Sequence, residues 1–266
     1  MKKFLALALA ALLLLCLVAC NKDKEEDPTD PKTTEPVVAE ELVYENFKYT
    51  VNESGMYEIT GYMPTSNAPT AVTVPAAIEG RPVTGIGESA FKAAMYLTGI
   101  TLPDSITYID SYAFAECDYL TEITLPNSLV TIGKGAFQNC DVLAKVTFSK
   151  ELTTIGEYAF MNCVALKDVV LPAKLTTVST MAFYNCDALT EIVIPESVTT
   201  LGDSAFHECS KLATITVPAT TVKLGNSLFS KCADELTVNT PDGSAFAQYV
   251  VANRYNVKAP EPAPAE

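Results

Sequence analysis

The sequence has little of what most enzymes and nucleic-acid-binding proteins need. Its 266 residues include no Trp and one His, and 18 Lys and Arg stand against 32 Asp and Glu, which gives a formal net charge of −14. A single His argues against a Ser-His-Asp or Cys-His catalytic device. An acidic chain without a basic cluster is poorly suited to bind nucleic acid or an anionic membrane surface. We therefore expect no enzyme, no nucleic-acid partner and no cofactor.

Long apolar runs are also scarce, and the one present lies at the N-terminus. Met1-Lys2-Lys3 precedes an apolar stretch from Phe4 to Ala19, which is typical of a secretory signal and too short to span a bilayer. The stretch ends in Leu-Val-Ala-Cys20, which resembles the lipobox of bacterial lipoproteins. That resemblance implies a signal peptide over residues 1–19 and lipid attachment at Cys20. The alternative is an ordinary signal sequence followed by a chance Cys.

An acidic segment follows Cys20. Residues 20–41 are rich in Pro, Thr, Asp and Glu and have almost no large apolar side chain, so they cannot bury a core and are predicted to be a disordered stalk. Their start, Asn21 to Asp27, resembles the export signal that places lipoproteins on the surface of certain Gram-negative bacteria. This resemblance implies a protein held on the outer membrane only by its lipid and exposed at the cell surface. Residues 259–266 are predicted to be a disordered tail.

The remaining chain repeats with a period of 23 residues. Such a period predicts a solenoid, in which one short unit stacks on copies of itself. The predicted structural core consists of two columns in perfect register. The first column is Phe91, Phe114, Phe137, Phe160, Phe183, Phe206 and Phe229. The second lies three residues after each Phe except Phe91, and it is Cys117, Cys140, Cys163, Cys186, Cys209 and Cys232.

The apolar positions between these columns predict one strand in each unit. In the second unit Ile123 and Leu125 are two residues apart, which is the spacing of side chains on one face of a strand, and Pro126 ends the strand because it cannot donate to the ladder. A second apolar pair leads to a turn Gly, as in Ile132-Gly133. The segment Ala-Phe-x-x-Cys is expected to form a short helical turn.

This unit resembles the repeats of the BspA-like leucine-rich-repeat surface proteins, with the same Ala-Phe, Cys, Leu and Pro landmarks. The resemblance covers residues 72–239 and implies a right-handed leucine-rich-repeat solenoid, a strand-dominated α/β superhelix in a single curved stack. Residues 42–71 fit an N-terminal β cap, in which two alternating segments form a hairpin. Residues 240–258 fit a C-terminal cap with a helix over Ala245 to Asn253. We expect the insertion Glu79 to Val83 to form a loop and the register to slip near Leu236.

The six repeated cysteines permit three interpretations. Equivalent residues in a parallel ladder lie about 4.8 Å apart, which a disulfide between neighbouring units could tolerate. The column lies between apolar columns, however, so we favour buried thiols that act as small hydrophobes. A metal site would lack both a tetrahedral cage and a His, and none is predicted.

The outward positions of the predicted strands form the candidate binding face, because solenoids commonly bind on a strand surface. Its members are Glu122, Lys145, Asp168 and Glu191 in one file and Thr101, Thr124 and Thr147 in the next. The same pattern also fits a solvated sheet surface that binds nothing. A competing set of exposed aromatics is Tyr96, Tyr112, Tyr119, Tyr158 and Tyr184. The single His, His207, occupies a column of varied residues and is expected to face solvent.

These features favour a surface protein that binds a protein or glycan outside the cell, and the family resemblance implies adhesion to host proteins or other cells. The alternative is a non-adhesive envelope scaffold, or an accessory component of a surface glycan-uptake assembly. A monomer is expected in either case.

Overall fold

The computed structural model describes residues 42–65, 70–255 and 257–258, the last pair by backbone alone. The predicted signal peptide, Cys20, the acidic stalk and the tail of residues 259–266 lie outside the described residues. Among the residues described, no helix combines the length and the apolar character that crossing a membrane requires.

An antiparallel sheet covers the N-terminal end of the stack. Its strands β1 (Leu42–Tyr44), β2 (Phe47–Val51) and β3 (Tyr57–Tyr62) pair in sequence order, which confirms the predicted hairpin. Tyr108 from the solenoid donates its hydroxyl hydrogen to Glu58 and accepts a hydrogen bond from Asn52 Nδ2 at 3.2 Å. Burial, and next the bond to Glu58, raise the pKa of Tyr108 to about 12, so the phenol stays protonated and joins cap to solenoid.

The insertion in the first turn, Glu79 to Val83, was expected to be a loop, but only Glu79 and Gly80 form a turn, and the residues from Arg81 onward lie in a strand. After β4 (Thr70–Thr73), strand β5 (Ala77–Ile78) pairs antiparallel with β6 (Arg81–Ile86). The two residues between β5 and β6, Glu79 and Gly80, have φ of 49° and 80°. Positive φ at both central residues is the geometry of a type I′ hairpin turn, which matches the twist of the flanking strands.

Every turn of the solenoid except the one that contains Asp168 contributes a short parallel strand to a first wall, which we call the strand face. These strands are β4, β7 (Leu97–Thr101), β9 (Glu122–Thr124), β11 (Lys145–Thr147), β14 (Glu191–Val193), β16 (Thr214–Thr216), β18 (Leu236–Asn239) and β19 (Val257–Lys258). They form three separate sheets, β4 with β7, β9 with β11, and β14 with β16, β18 and β19. The 23-residue register holds as far as β18, since Thr216 pairs with Asn239, so the predicted slip at Leu236 does not displace that strand. The last pairing has a shorter spacing, since Leu236 of β18 pairs with Val257 of β19.

A second wall of two-residue strands is continuous along the stack. After β6 it contains β8 (Tyr108–Ile109), β10 (Thr131–Ile132), β12 (Thr154–Ile155), β13 (Thr177–Val178), β15 (Thr200–Leu201) and β17 (Lys223–Leu224), all parallel. It also joins the cap, because β3 pairs in parallel with β6. The second apolar pair of the repeat thus forms the sheet that spans the solenoid.

The third wall consists of hydrogen-bonded turns where short helical turns were expected. Alternate backbone N–H groups here donate to the next turn of the solenoid, as from Phe137 N to Ala159 O at 2.8 Å, and those between them donate three residues back, as from Gln138 N to Gly135 O at 3.0 Å. An α-helix would instead donate successive N–H groups four residues back within the segment. In most turns the residues two before and two after each Phe have positive φ, as at Tyr158 (58°) and Asn162 (62°).

The Phe column is the centre of the core. Successive rings stack with centroids 5.1–5.6 Å apart and interplanar angles of 1–9°. Each repeated Cys donates its Sγ hydrogen to the carbonyl of the Phe 26 residues earlier, at 3.1–3.3 Å. The thiols therefore tie each turn to the one before it.

Aromatic side chains close both ends of the Phe column. Tyr62 stacks on Phe91 at 6.1 Å, and Phe246 meets Phe229 edge-on at 5.7 Å. Phe246 belongs to helix α1 (Ala245–Ala252), which begins after Ser244 and ends one residue before the predicted end. The Ser244 hydroxyl caps the helix by accepting from Ala247 N at 3.1 Å.

Truncation in the middle of the Phe column should be costly. We expect Phe160→Ala to lower the free energy of unfolding by about 3–5 kcal/mol, since the ring is fully buried between two stacked neighbours. Urea unfolding followed by circular dichroism measures this. Tyr119→Ala, at a half-exposed side chain, is the control and should change stability by less than about 0.5 kcal/mol. Equal effects of the two variants would contradict the assigned core.

Candidate functional site

The strand face presents most of the predicted binding residues to solvent. Glu122, Lys145 and Glu191 point outward from β9, β11 and β14, and they are exposed, as are Thr101, Thr124 and Thr147 in the adjacent file. Glu122 is paired in register with Lys145, and Glu191 with Thr214. The file therefore alternates in charge at its centre.

Asp168 breaks this file. Residues 167–171 form no strand, and Asp168 has a φ of 51°, so β11 and β14 belong to different sheets. The structure brings Glu122 next to Lys145 but places Asp168 in an irregular segment between them and Glu191. The three carboxylates do not form the continuous ladder that their spacing suggested.

A depression of about 490 Å³ lies on the strand face near its N-terminal end. We call it the Gly99 hollow, because Gly99 and Ala71 leave the outward file without a large side chain at this point. Its polar wall contains Asp104, Glu122 and Asn127 together with the hydroxyls of Thr98, Thr101, Thr121 and Thr124. This volume lies within the range of small-molecule and side-chain binding sites.

The hollow reaches down to the core. Ile100 is partly exposed, whereas the equivalent residues of the next five turns, Ile123, Val146, Val169, Ile192 and Ile215, are all buried. The absence of a large side chain at Gly99 and Ala71 leaves an aliphatic floor open to a ligand. Sequence reasoning included Glu122, Thr101 and Thr124 in the face but missed Gly99, although Gly is the only residue without a side chain in that file.

Gly99 is not required by its backbone. Its φ lies outside the left-handed region, and a Cβ built on it would meet only Ala71 Cβ, at 3.9 Å. A Cβ on Gly156 would instead lie 2.7 Å from the carbonyl carbon of Gly133, so that glycine is needed where two turns approach closely. Gly inside a strand weakens the strand and often marks a point where a ligand or another backbone comes close.

The strand ladder is open beside the hollow. Leu125 N donates to Thr147 O at 2.9 Å, and Ile194 N to Thr216 O at 2.9 Å, but no such bond joins Leu102 N to Thr124 O. β7 and β9 accordingly lie in different sheets. The Thr124 carbonyl is left without the donor that the Thr147 and Thr216 carbonyls have.

A second depression of about 440 Å³ lies at the C-terminal end of the same face. It is more apolar than the first, because Val193, Pro195, Pro218 and Pro241 line it, with Glu196 at its edge. The two depressions are separated by the turns that carry Lys145 and Asp168.

The competing tyrosines are mostly engaged within the protein. Tyr119 is exposed, but Tyr96, Tyr112, Tyr158 and Tyr184 are half-buried. Burial raises the pKa of Tyr96 to about 12. Tyr112 lies against Gly135, and a Cβ added to this glycine would lie 2.5 Å from the Tyr112 ring. The Lys92 ammonium lies 5.7 Å from the centroid of the same ring.

His207 was expected to face solvent, but the structure covers most of its side chain. Its side chain is 19% exposed, its ring stacks on Tyr184 with centroids 5.3 Å apart, and Nε2 lies 3.7 Å from Glu208 Oε1. Hydrogen bonds from Lys231 and then Tyr184 lower the pKa of Glu208. These contacts occupy the turn wall and are directed within the protein.

The six repeated cysteines are free thiols, and all except Cys232 are fully buried. Burial is the main cause that raises the pKa of Cys163, Cys186 and Cys209, and it raises that of Cys232 to about 12. In the part of the chain that the structure describes, no group of three or more His, Cys, Asp or Glu could hold a metal ion.

A parallel-stranded solenoid with a 23-residue period and stacked Phe and Cys columns defines a leucine-rich-repeat protein. The sequence matches the family model described as the BspA type leucine rich repeat region, in six copies over residues 84–187 and 137–258. The chain belongs to the BspA type leucine-rich-repeat family. A comparison with curated protein sequences gave no match.

Comparison with solved structures found one with the same fold and two further leucine-rich repeat proteins at lower similarity. A leucine rich cell surface protein from Faecalibacterium prausnitzii is 22% identical, with 77% of each chain covered and a TM-score of 0.51. The Treponema pallidum leucine rich repeat protein is 22% identical over 82% of this chain and 98% of that chain, with a TM-score of 0.48. A leucine-rich repeat protein from Bacteroides ovatus is 23% identical over 75% of this chain and 71% of that chain, with a TM-score of 0.42.

The two kinds of glycine should respond oppositely to a methyl group. We expect Gly99→Ala to raise the free energy of unfolding by about 0.5–1 kcal/mol, because Ala loses less conformational entropy than Gly in a strand and the site has room. Gly156→Ala should lower it by about 1–3 kcal/mol through overpacking against Gly133. Urea unfolding of both variants measures the difference. Destabilisation by Gly99→Ala would show that this glycine is needed for the fold.

The raised thiol pKa values predict slow alkylation of the folded protein. At pH 8, well below a pKa of about 12, Cys232 remains protonated, and its partial exposure makes it the first thiol to react with N-ethylmaleimide. The five buried thiols should react only after unfolding in guanidinium chloride, where all six are modified. Peptide mapping by mass spectrometry reads each site. Rapid labelling of Cys163 in the folded chain would contradict the buried column.

Proposed function

We propose that the chain is a non-enzymatic binding protein whose strand face contacts a macromolecular ligand outside the cell. The observation that carries the proposal is the exposed strand face itself, with eight strands and two depressions of about 490 and 440 Å³. Eight strands at about 4.8 Å spacing give a length of roughly 35 Å. That length suits a protein–protein contact of standard size.

We further propose that Cys20 is acylated and that residues 20–41 carry the solenoid away from the outer membrane of a Gram-negative cell. Acyl chains on one residue attach a protein without a spanning helix. Membership of the BspA type family supports a surface location, as does the cell-surface protein whose fold is similar. In this arrangement the strand face meets its ligand, and adhesion to host proteins or other cells is the role we infer.

Binding to an array of matrix proteins and glycans tests the proposal. The full-length chain, purified in detergent, should bind one class saturably. The triple variant Glu122→Gln, Asp168→Asn, Glu191→Gln should weaken that binding about fivefold to tenfold, because each rim charge contributes up to about 1 kcal/mol.

A charge-matched control separates the face from the total charge. Glu45, Glu53 and Glu88 are exposed residues outside the strand face, and changing all three to Gln removes the same charge. This control should leave the affinity within about twofold of the starting chain. Equal weakening by both triple variants would refute a role for the face. If the chain binds no component of the array, the result would instead favour an envelope scaffold.

A further inference from the structure

The polar wall of the Gly99 hollow carries two carboxylates without partners. Among the residues that the structure describes, neither Asp104 nor Glu122 has a hydrogen bond or an ion pair. Lys145 is the residue in register with Glu122 on the next strand, but it forms no ion pair with Glu122. The hollow therefore presents negative charge that no described cation neutralises, and it favours a positively charged occupant.

The floor of the hollow is aliphatic. Ala71, Ile100, Leu102 and Leu125 line it, and no aromatic ring is among the described lining residues. Aromatic rings give sugars and other flat apolar faces a stacking surface, so their absence from the lining disfavours a glycan here. A long basic side chain fits better, because its methylene stem can lie on apolar surface while its charged end reaches the carboxylates.

The open ladder adds a further acceptor. The Thr124 carbonyl lacks the donor that the equivalent Thr147 and Thr216 carbonyls have. A guanidinium group carries five N–H donors in a fixed fork and no acceptor, so it can bond several oxygens at once. An ammonium group lacks this planar fork.

We propose that the Gly99 hollow is a subsite for an Arg side chain on an extended, basic segment of a protein partner. Asp104 and Glu122 bind the guanidinium, the Thr124 carbonyl accepts one of its hydrogens, and the stem lies over Ile100. Gly99 keeps the position open, which accounts for a glycine that neither φ nor packing requires. The inference rests on the proposed function, since it names the partner class for the same face.

Surface plasmon resonance of a short peptide tests the subsite directly. The immobilised full-length chain in detergent is titrated with acetyl-Gly-Ser-Arg-Ser-Gly-amide at low salt, and with the same peptide carrying citrulline, which has nearly the shape of Arg but no charge. The Arg peptide should bind at least about tenfold more tightly than the citrulline peptide, because charge-assisted hydrogen bonds are lost in the latter.

Three variants assign the binding to the hollow. Gly99→Val, which fills the space, should weaken binding of the Arg peptide about tenfold, and so should the pair Asp104→Asn with Glu122→Gln. The charge-matched pair Glu53→Gln with Glu88→Gln lies away from the strand face and should change the affinity by less than about twofold. Circular dichroism confirms that each variant is folded.

Several outcomes would overturn the subsite. They are absence of Arg-peptide binding, equal affinity for the citrulline peptide, equal weakening by both charge pairs, or an unchanged affinity in Gly99→Val. Capture of a neutral oligosaccharide that Gly99→Val abolishes would assign the hollow to a glycan instead. Array binding that survives Gly99→Val would leave the proposed function standing and remove only this inference. If the Arg peptide binds but no component of the array does, the subsite would stand and the proposed function would be removed.

Discussion

Stacking of one turn on the next is the constraint on which the rest of this structure depends. A single 23-residue turn is too small to enclose its own apolar side chains, so it must bury them against its neighbours. Rings 5.1–5.6 Å apart in the Phe column, and thiols that bond the preceding Phe carbonyl, are the consequence at the centre. At each end the stack needs a partner that is not another repeat, and Tyr62 and Phe246 supply it.

Stacking also decides where the chain is free to vary. Inward columns must repeat, because each member meets the same residue one turn away. Outward columns meet solvent and can change from turn to turn, as where Glu122 is followed by Lys145. Information for recognition therefore lies in departures from the period. Gly99 and Asp168 are such departures, and both coincide with interruptions of the strand ladder.

The period was sufficient to predict the core and all but one of the strand positions, because identical residues in register can be buried only by stacking. The C-terminal helix was predicted from the non-repeating residues that follow the stack. It could not reveal the left-handed turns around each Phe. All of their residues except Gly135 are other than glycine, as at Tyr158 and Asn162, and hydrogen bonds between turns hold their positive φ. Nor could it reveal the Gly99 hollow, which arises where the insertion brings Ala71 next to Gly99, 28 residues later. Tyr119 is exposed as expected, but the other four tyrosines were misjudged as exposed because their rings fold against neighbouring turns.

The glycine at position 99 shows how function can be separated from fold in a repeat protein. A glycine needed for the fold has an adjacent atom that excludes any side chain, as the Gly133 backbone does at Gly156. Gly99 has open space instead, so the fold would gain strand stability from almost any larger residue there. A glycine that lowers the stability of the fold without being needed for it is most simply explained by a bound partner that occupies the space beside it. An anionic partner would be repelled by the unpaired carboxylates of Asp104 and Glu122, which limits the occupant of the hollow to a cationic group.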